Sequence, residues 1–238
     1  MIPNKAITRT QFYDLVDYQK LTSGGEATIC EGDTPFSVYK LFYHCSTPVA
    51  MPENKIKKIS RLYDMQLKHS VQPLCTVSLD DVIVGYEMTS DVDLTKTQLC
   101  FLPFEEKKYF LEKTKEILEY FSSLGIIYGD VEPRNILFNR NTGRIEFCDM
   151  DNIAIGDLPI DLLPNHVVNY NVSRPIDQNL HPYMHNLMTL KSFGIDTYWA
   201  SRRELRTHFK RPAIRTIKSM KDPSNFNNEY IIQYLKKR

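Results

Sequence analysis

Two short segments hold residue types at spacings that can do chemistry. In Ile127-Tyr128-Gly129-Asp130-Val131-Glu132-Pro133-Arg134-Asn135-Ile136-Leu137-Phe138 an aspartate is followed five residues later by an asparagine, then by apolar residues. A loop pinned between a helix and a strand holds two such side chains at a fixed separation. The Asp130 carboxylate can then orient or deprotonate a hydroxyl, while the Asn135 amide oxygen takes a magnesium ion. In Ile145-Glu146-Phe147-Cys148-Asp149-Met150-Asp151 an alternating apolar pattern reads as a short strand ending in an acidic residue. A hard cation needs oxygen ligands, and Asn135 with Asp149 supplies two. Each segment alone also reads as ordinary turn chemistry, since Asp and Asn are common turn residues; their order and spacing together favour the chemical reading.

The flanking patterns say which elements must position these groups. Residues 21–30 and 36–43 are extended segments on either side of a Glu31-Gly32-Asp33 turn. Pro52 suits a helix start, and Ile56, Ile59, Leu62, Tyr63 and Met65 follow at helical spacing, which predicts a helix over about 52–67. Residues 74–79 and 82–88, joined by Asp80-Asp81, read as a hairpin, and the polar stretch 89–97 as a linker. Phe110, Thr114, Ile117, Leu118 and Phe121 then mark one face of a long amphipathic helix, with Gly125 placed to end it in the left-handed conformation. Asn139 to Gly143 supplies a turn between two strands. Strands first and helices later predict an α+β fold in two lobes, with a hinge near 88–92.

With the motifs in place, the chain resembles the protein-kinase-like superfamily. The stretch Tyr128-Gly129-Asp130-Val131-Glu132-Pro133-Arg134-Asn135 is similar to the catalytic loop of those enzymes, and Asp149-Met150-Asp151 to their metal-binding Asp-Phe-Gly. Leu21-Thr22-Ser23-Gly24-Gly25-Glu26-Ala27-Thr28-Ile29-Cys30 resembles the glycine-rich loop, and Val38-Tyr39-Lys40 the strand that carries the phosphate-binding lysine. The resemblance covers about residues 18–152 and identifies a small, divergent, atypical member of bacterial or phage type. It implies a bilobal kinase-like fold, with an antiparallel-sheet lobe over 1–88 and a reduced helical lobe over 89–238, abbreviated after 152. It also implies ATP and Mg²⁺ as cofactors. Asp130, Lys40 and Arg134 would be catalytic and Asn135 and Asp149 would bind metal. Thr22, Gly24, Gly25, Ala27, Ile29, Val38, Lys40, Met88 and Leu137 would line the nucleotide site. The backbone around Met88, Thr89 and Ser90 would meet adenine.

The physical reading runs alongside. Gly24 and Gly25 allow close backbone approach to phosphates, and Lys40, among apolar Val38, Leu41 and Phe42, offers them a point charge. As plain core residues Ile29, Val38 and Leu137 would look the same.

The departures are also specific. Thr22 and Ala27 replace two glycines of the loop, and Tyr128-Gly129 stands where His-Arg is usual. Glu132 reverses the charge of a customary lysine, with Arg134 as the candidate replacement cation. Asp151 stands for a glycine, either as a second carboxylate for metal or as the cap of the next turn. No glutamate falls at the usual helix position near 58–61, leaving Glu53 or Asp64 as partner for Lys40. Asp177 is the candidate for the buried aspartate that braces the catalytic loop. His181 and His185 share a spacing used by metal ligands, but Pro182 intervenes, and packing or capping is favoured.

Composition sets the class. Of 238 residues, 42% are hydrophobic and 25% charged, with a net charge of +1. That is a soluble globular profile, and no apolar run approaches the roughly 18 residues of a membrane span. Met1-Ile2-Pro3-Asn4-Lys5 has no apolar signal core, and the five cysteines form no Cys-x-x-Cys pair. Reduced thiols in a cytoplasmic protein are therefore expected. From Ser201 to Arg238, eleven Lys/Arg face three acids, a basic tail suited to an acidic or phosphate-bearing partner; lacking interleaved aromatics, it does not read as a nucleic-acid surface.

Three functions remain open at this level. They are a protein kinase acting on a Ser/Thr or Tyr hydroxyl of a protein substrate, a small-molecule kinase of aminoglycoside or sugar type, and a pseudokinase serving as a nucleotide-binding interaction module.

Overall fold

The first strand, β1 (Asn4–Ile7), leads into α1 (Arg9–Tyr18) through a capping box written in the sequence Thr8-Arg9-Thr10-Gln11. The Gln11 N–H donates to Thr8 Oγ1 at 3.2 Å, and the Thr8 N–H donates to Gln11 Oε1 at 2.8 Å. This satisfies two of the N-terminal donors that a helix otherwise leaves open. These elements are additions to the sequence-based expectation, which began near residue 21. In the computed structural model, residues 1–44, 47–90, 95–96, 101–161, 181 and 188 are described.

The strands that follow are β2 (Lys20–Ser23), β3 (Ala27–Glu31), β4 (Ser37–His44) and β5 (Thr47–Pro48). Residues 21–30 are thus two strands rather than one extended segment, because the chain reverses at Gly24-Gly25-Glu26 and the Gly24 N–H donates to the Ala27 carbonyl at 2.8 Å. α2 (Glu53–Met65) fills the predicted 52–67 helix, and β6 (Pro73–Leu79) and β7 (Val82–Thr89) form the predicted hairpin. Its two-residue turn has Asp80 at φ 49° and Asp81 at φ 63°. Both angles are positive, as the twist of a tight hairpin requires.

The seven strands pair in the order β1-β6-β7-β4-β3-β2, with β5 alongside β4. Every contact but one is antiparallel; β1 runs parallel to β6. The expected α+β class with a multi-stranded, largely antiparallel sheet is what the structure has.

Alternation sorts the sheet's side chains onto two faces. Cys30, Tyr39, Leu41, Val77 and Leu79 join Phe12, Leu15 and Val16 of α1 in one apolar core. The opposite face receives Val38, Lys40 and Phe42 from β4. Opposite them on neighbouring strands stand Tyr86 beside Lys40, Met88 beside Val38, Ile29 beside Lys40 and Ala27 beside Phe42.

Two compact units result, residues 1–95 with 146–151, and residues 96–145 with 152–238. Segment 146–151 joins the first through its backbone. The Val71 N–H donates to the Phe147 carbonyl at 2.9 Å, and the Phe147 N–H to the His69 carbonyl at 2.8 Å.

A short β8 (Thr95–Lys96) precedes the second unit's main helix, α3 (Phe104–Ser123). Phe110, Leu111, Thr114, Ile117, Leu118 and Phe121 are its buried face, which contains the predicted stripe, and Glu105 and Glu106 in the first turn suit the positive end of the helix dipole. Gly125, at φ 70°, ends it as expected, with its N–H on the Ser122 carbonyl at 3.0 Å. The chain continues into β9 (Ile126–Tyr128), a single 3-10 turn at Pro133–Asn135, and β10 (Ile136–Phe138). After the Asn139–Gly143 turn come β11 (Ile145–Phe147) and β12 (Ile153–Ile155), the latter antiparallel to β9. Phe138 packs edge-on against Phe110 with ring centroids 5.5 Å apart, which seats β10 on α3. Asp177, His185 and the basic tail over 201–238 lie outside the described residues, as does the end of the proposed hinge at 91–92. Among the described residues no helix is long and apolar enough to cross a membrane.

Gly85 is demanded by the sheet itself. A Cβ there would lie 2.2 Å from the Lys40 carbonyl oxygen and 3.0 Å from Leu41 Cα. Gly85→Ala must push β7 from β4 beside Lys40, at a cost of about 1–3 kcal/mol. A lowered urea midpoint is the expected result, and a midpoint equal to the parent's would contradict the close approach.

Candidate functional site

In the first unit the chemistry gathers around one carboxylate. Asp151 is fully buried, and three donors converge on it. Lys40 Nζ lies 2.6 Å and Tyr86 Oη 2.9 Å from Oδ1, while Lys55 Nζ lies 3.0 Å from Oδ2. Lys40 also bonds Asp149, and Lys55 reaches Glu26 Oε2 at 2.6 Å. Phe42 lies beneath both ammonium groups, 5.8 Å from Lys40 Nζ and 5.2 Å from Lys55 Nζ to its ring centroid. The side chains therefore form a chain, Glu26–Lys55–Asp151–Lys40–Asp149, with carboxylates at both ends.

Burial decides how these groups titrate. It pulls the Lys40 ammonium down, but Asp151 and Asp149 more than offset this and hold it above the usual lysine range. Burial likewise opposes charge on Asp151, yet Lys40 and Lys55 keep its carboxyl well below the ordinary carboxylate range. For Lys55, desolvation is again overcome, by Asp151 and Glu26. Burial and the neighbouring Asp151 raise the Tyr86 hydroxyl well above its normal value, so it stays protonated and donates. Lys40, Lys55, Asp151 and Tyr86 thus keep one charge state across neutral pH.

Several sequence expectations change here. Neither Glu53 nor Asp64 partners Lys40: Glu53 pairs with Lys57 at 2.6 Å and Asp64 with the N-terminal amine at 3.5 Å. α2 presents Lys55, Lys58, Ile59 and Leu62 as its buried face, and the member of it that enters the network is a lysine. Asp151 is neither a free metal ligand nor a turn cap, because its oxygens are taken by Lys40, Lys55 and Tyr86. At the proposed adenine contact, the Thr89 and Ser90 N–H groups already donate to the Gln72 and Phe36 carbonyls at 2.8 and 2.7 Å, so those donors are spent. A spacing rule could not find Lys55, since a lysine on a helix ordinarily reads as a solvated face.

The remaining first-unit residues form the sheet face around Lys40. Met88 and Ala27 are buried, Ile29 and Val38 half-buried, and Thr22 exposed. Among the described residues nothing requires glycine at Gly24 or Gly25. Neither lies at positive φ, and a Cβ would come no closer than 3.7 Å to any chain atom at Gly24 and would meet nothing within 4 Å at Gly25. Their permissiveness is therefore available to a ligand.

In the second unit the loop after β9 brings Asp130, Arg134 and Asn135 together. Asn135 Nδ2 donates to Asp130 Oδ2 at 2.8 Å and to the Asp130 carbonyl at 3.1 Å, which leaves the amide oxygen as the acceptor. Arg134 lies between two acids, 3.3 Å from Asp130 Oδ2 and 3.8 Å from Glu132 Oε2, and so neutralises the charge reversal at Glu132. Asp130 Oδ1 is buried and, among the described residues, has no hydrogen-bond partner. A buried carboxylate oxygen left open is costly unless a ligand meets it. Leu137 is half-buried on β10.

The loop is braced from behind by His181. Its Nε2 accepts the Tyr128 N–H at 2.6 Å, so the proton sits on Nδ1, 2.7 Å from Ser122 Oγ and 3.1 Å from the Leu118 carbonyl. The histidine is a structural prop, as its sequence context favoured, and it holds the residue two places before Asp130.

In the first unit Asp149 has a side chain that is 38% exposed, although one of its oxygens meets Lys40. Among the described residues no cluster of three His, Cys, Asp or Glu could hold a metal unaided.

Comparison with known proteins agrees in kind. No family model matches the chain. Mitogen-activated protein kinase 11 of Oryza sativa subsp. japonica is 27% identical over 127 residues, 51% of this chain and 22% of its own. Mitogen-activated protein kinase 9 of the same rice is 28% identical over 127 residues, covering 18% of that protein, and mitogen-activated protein kinase 20 of Arabidopsis thaliana is 27% identical, covering 21%. Half of the chain is thus distantly similar to protein kinases, and it spans about a fifth of the length of these relatives.

The His181 brace carries a pH signature. Burial pulls its imidazole down to about 4, partly offset by the Leu118 carbonyl. Unfolded, it titrates near 6.5. Between those values the unfolded chain holds a proton that the folded one lacks, so this contribution is complete above the unfolded value and falls as pH drops toward 4. Denaturant unfolding at pH 7 and pH 5 should differ by about 2 kcal/mol through this group. His181→Asn should remove that part of the slope; an unchanged slope would deny the buried, neutral imidazole.

Proposed function

We propose that the chain is an ATP-dependent phosphotransferase, a protein kinase that passes the γ-phosphoryl group to a Ser or Thr hydroxyl, or to Tyr, of a protein substrate. The observation that carries this reading is the buried Lys40 held by Asp149, a strand lysine joined to the first carboxylate of the Asp-Met-Asp segment. The distant similarity to protein kinases supports it, as do the glycines that nothing among the described residues requires.

Lys40, kept charged by its carboxylates, binds and orients the phosphates. Asp130 Oδ1, the buried oxygen without a partner among the described residues, takes the proton of the acceptor hydroxyl as the hydroxyl oxygen bonds to the γ-phosphorus and the bridging oxygen leaves with ADP. Arg134 and Asn135 hold Asp130 on its other oxygen, which fixes the direction Oδ1 faces. The Asn135 amide and the Asp149 carboxylate are each the kind of oxygen donor that Mg²⁺ takes, and the ion, when bound, would neutralise phosphate charge. Such chemistry depends mainly on positioning and charge neutralisation. Ala27, Ile29, Val38 and Met88 supply apolar surface for the base. The reduced thiols Cys30 and Cys75 fit a cytoplasmic setting. We assign the basic C-terminal tail to an acidic or phosphate-bearing partner.

One observation favours a second reading, a pseudokinase that binds nucleotide without transferring phosphate. Arg134, the replacement cation near the transferring group, is already engaged by Asp130 and Glu132.

Incubation with γ-labelled ATP and magnesium, with mapping of any labelled residue, separates these readings. A phosphorylated Ser, Thr or Tyr is expected, label on aminoglycosides or sugars alone would move the acceptor to a small molecule, and thermal stabilisation by Mg-ATP without label would indicate the pseudokinase. Asp149→Asn should lower turnover at least ~100-fold, the scale of losing a charge-stabilising group. Unchanged labelling in that variant would refute the metal role.

A further inference from the structure

Where a lysine is held in place for phosphates, a buried carboxylate must hold it, and α2 presents none to Lys40. Its acids point elsewhere, Glu53 to Lys57 and Asp64 to the N-terminal amine. We infer that Asp151 is the positioning residue for Lys40, and that Lys55 from α2 is the second cation that holds this buried carboxylate in place between the two lysines. The inference rests on the phosphotransferase reading and specifies how that site is built.

The geometry supports a charge-exchanged arrangement. Asp151 has no exposed surface and divides its oxygens, Oδ1 to Lys40 at 2.6 Å and Oδ2 to Lys55 at 3.0 Å. With Lys40 alone the buried carboxylate would lack a partner on Oδ2, and with Lys55 alone Lys40 would be tied only to the partly exposed Asp149. The Tyr86 hydroxyl at 2.9 Å, from the strand beside Lys40, completes the acceptor sites facing the sheet. Strand lysine and helix are therefore joined through a bridging aspartate rather than by a direct ion pair.

Lys55 also extends the bridge outward. It bonds Glu26 at 2.6 Å, and Glu26 directly follows Gly24-Gly25 in the β2–β3 turn. The same lysine that neutralises Asp151 thus anchors the turn assigned to phosphate contact. The position of Lys40 and the position of the turn are coupled through three salt bridges, in addition to the backbone pairing of β3 with β4.

The test uses the full chain and measures Mg-ATP affinity by isothermal titration, beside urea unfolding without nucleotide. Asp151→Asn should weaken Mg-ATP binding about tenfold in the parent, but less than about twofold when Lys40→Met is already present, because groups that act through one contact are strongly non-additive. A purely structural role for Asp151 would weaken binding equally in both backgrounds and would overturn the inference. If Asp151→Asn does not fold, the double variant Asp151→Asn, Lys55→Met removes one charge of each sign and leaves Lys40 with Asp149. It should bind Mg-ATP as weakly as Lys40→Met, whereas parental affinity in this variant would overturn the inference. Parental Mg-ATP binding that Lys40→Met leaves unchanged, or no binding by the parent, would reject the phosphotransferase reading itself and this inference with it.

Discussion

A buried carboxylate shared by two buried lysines is the constraint on which the first unit is organised. Asp151 arrives on segment 146–151, Lys40 on β4, Lys55 on α2, and Tyr86 on β7. An ion taken from water into the interior loses several kcal/mol of hydration, and only well-placed partners return it. Breaking such a pair from one side typically costs about 3–5 kcal/mol, since it strands the other charge. The four elements are consequently held in one mutual arrangement by a polar knot.

Around that knot, apolar packing sets the distances. α1 covers the far face of the sheet with Phe12, Leu15 and Val16, which leaves the near face for Lys40 and its neighbours. Gly85 permits β7 to approach β4 at the level of Lys40, and the Lys40–Tyr86 pairing places the hydroxyl where Asp151 can accept it. Strand alternation thus converts a one-residue choice of register into a functional face: a slip by one would bury Tyr39 where Lys40 stands.

The second unit solves a different problem, holding a short loop rigid with few residues. α3 and β9 meet at Gly125, and β12 pairs with β9. His181 fastens the backbone at Tyr128. The 3-10 turn at Pro133–Asn135 then aims the Asn135 amide back at Asp130. One Asp130 oxygen is thereby committed to structure while the other stays open, a division of labour that a free side chain could not maintain.

Much of this was legible in residue order. The helix over Glu53–Met65, the hairpin through Asp80-Asp81, the apolar stripe of α3 and its glycine end are local patterns, because periodicity and turn chemistry act between near neighbours. The Asp130–Asn135 hydrogen bond is local as well, spanning five residues. The capping box at Thr8 was equally readable, and its signal lay in Thr8, Gln11 and the Phe12-Leu15-Val16 spacing. The partners of Lys40 were not readable. Asp149 and Asp151 stand more than a hundred residues away, and nothing in the types or spacing of Glu53, Asp64, Lys55 and Asp151 ranks one pairing above another. The sequence by itself determined the α+β class and most of the elements from residue 36 to 138 that local periodicity and turn chemistry set. Only the tertiary structure decided which charges meet, because that depends on which groups lose water together, and desolvation is a property of packed chains rather than of residue order.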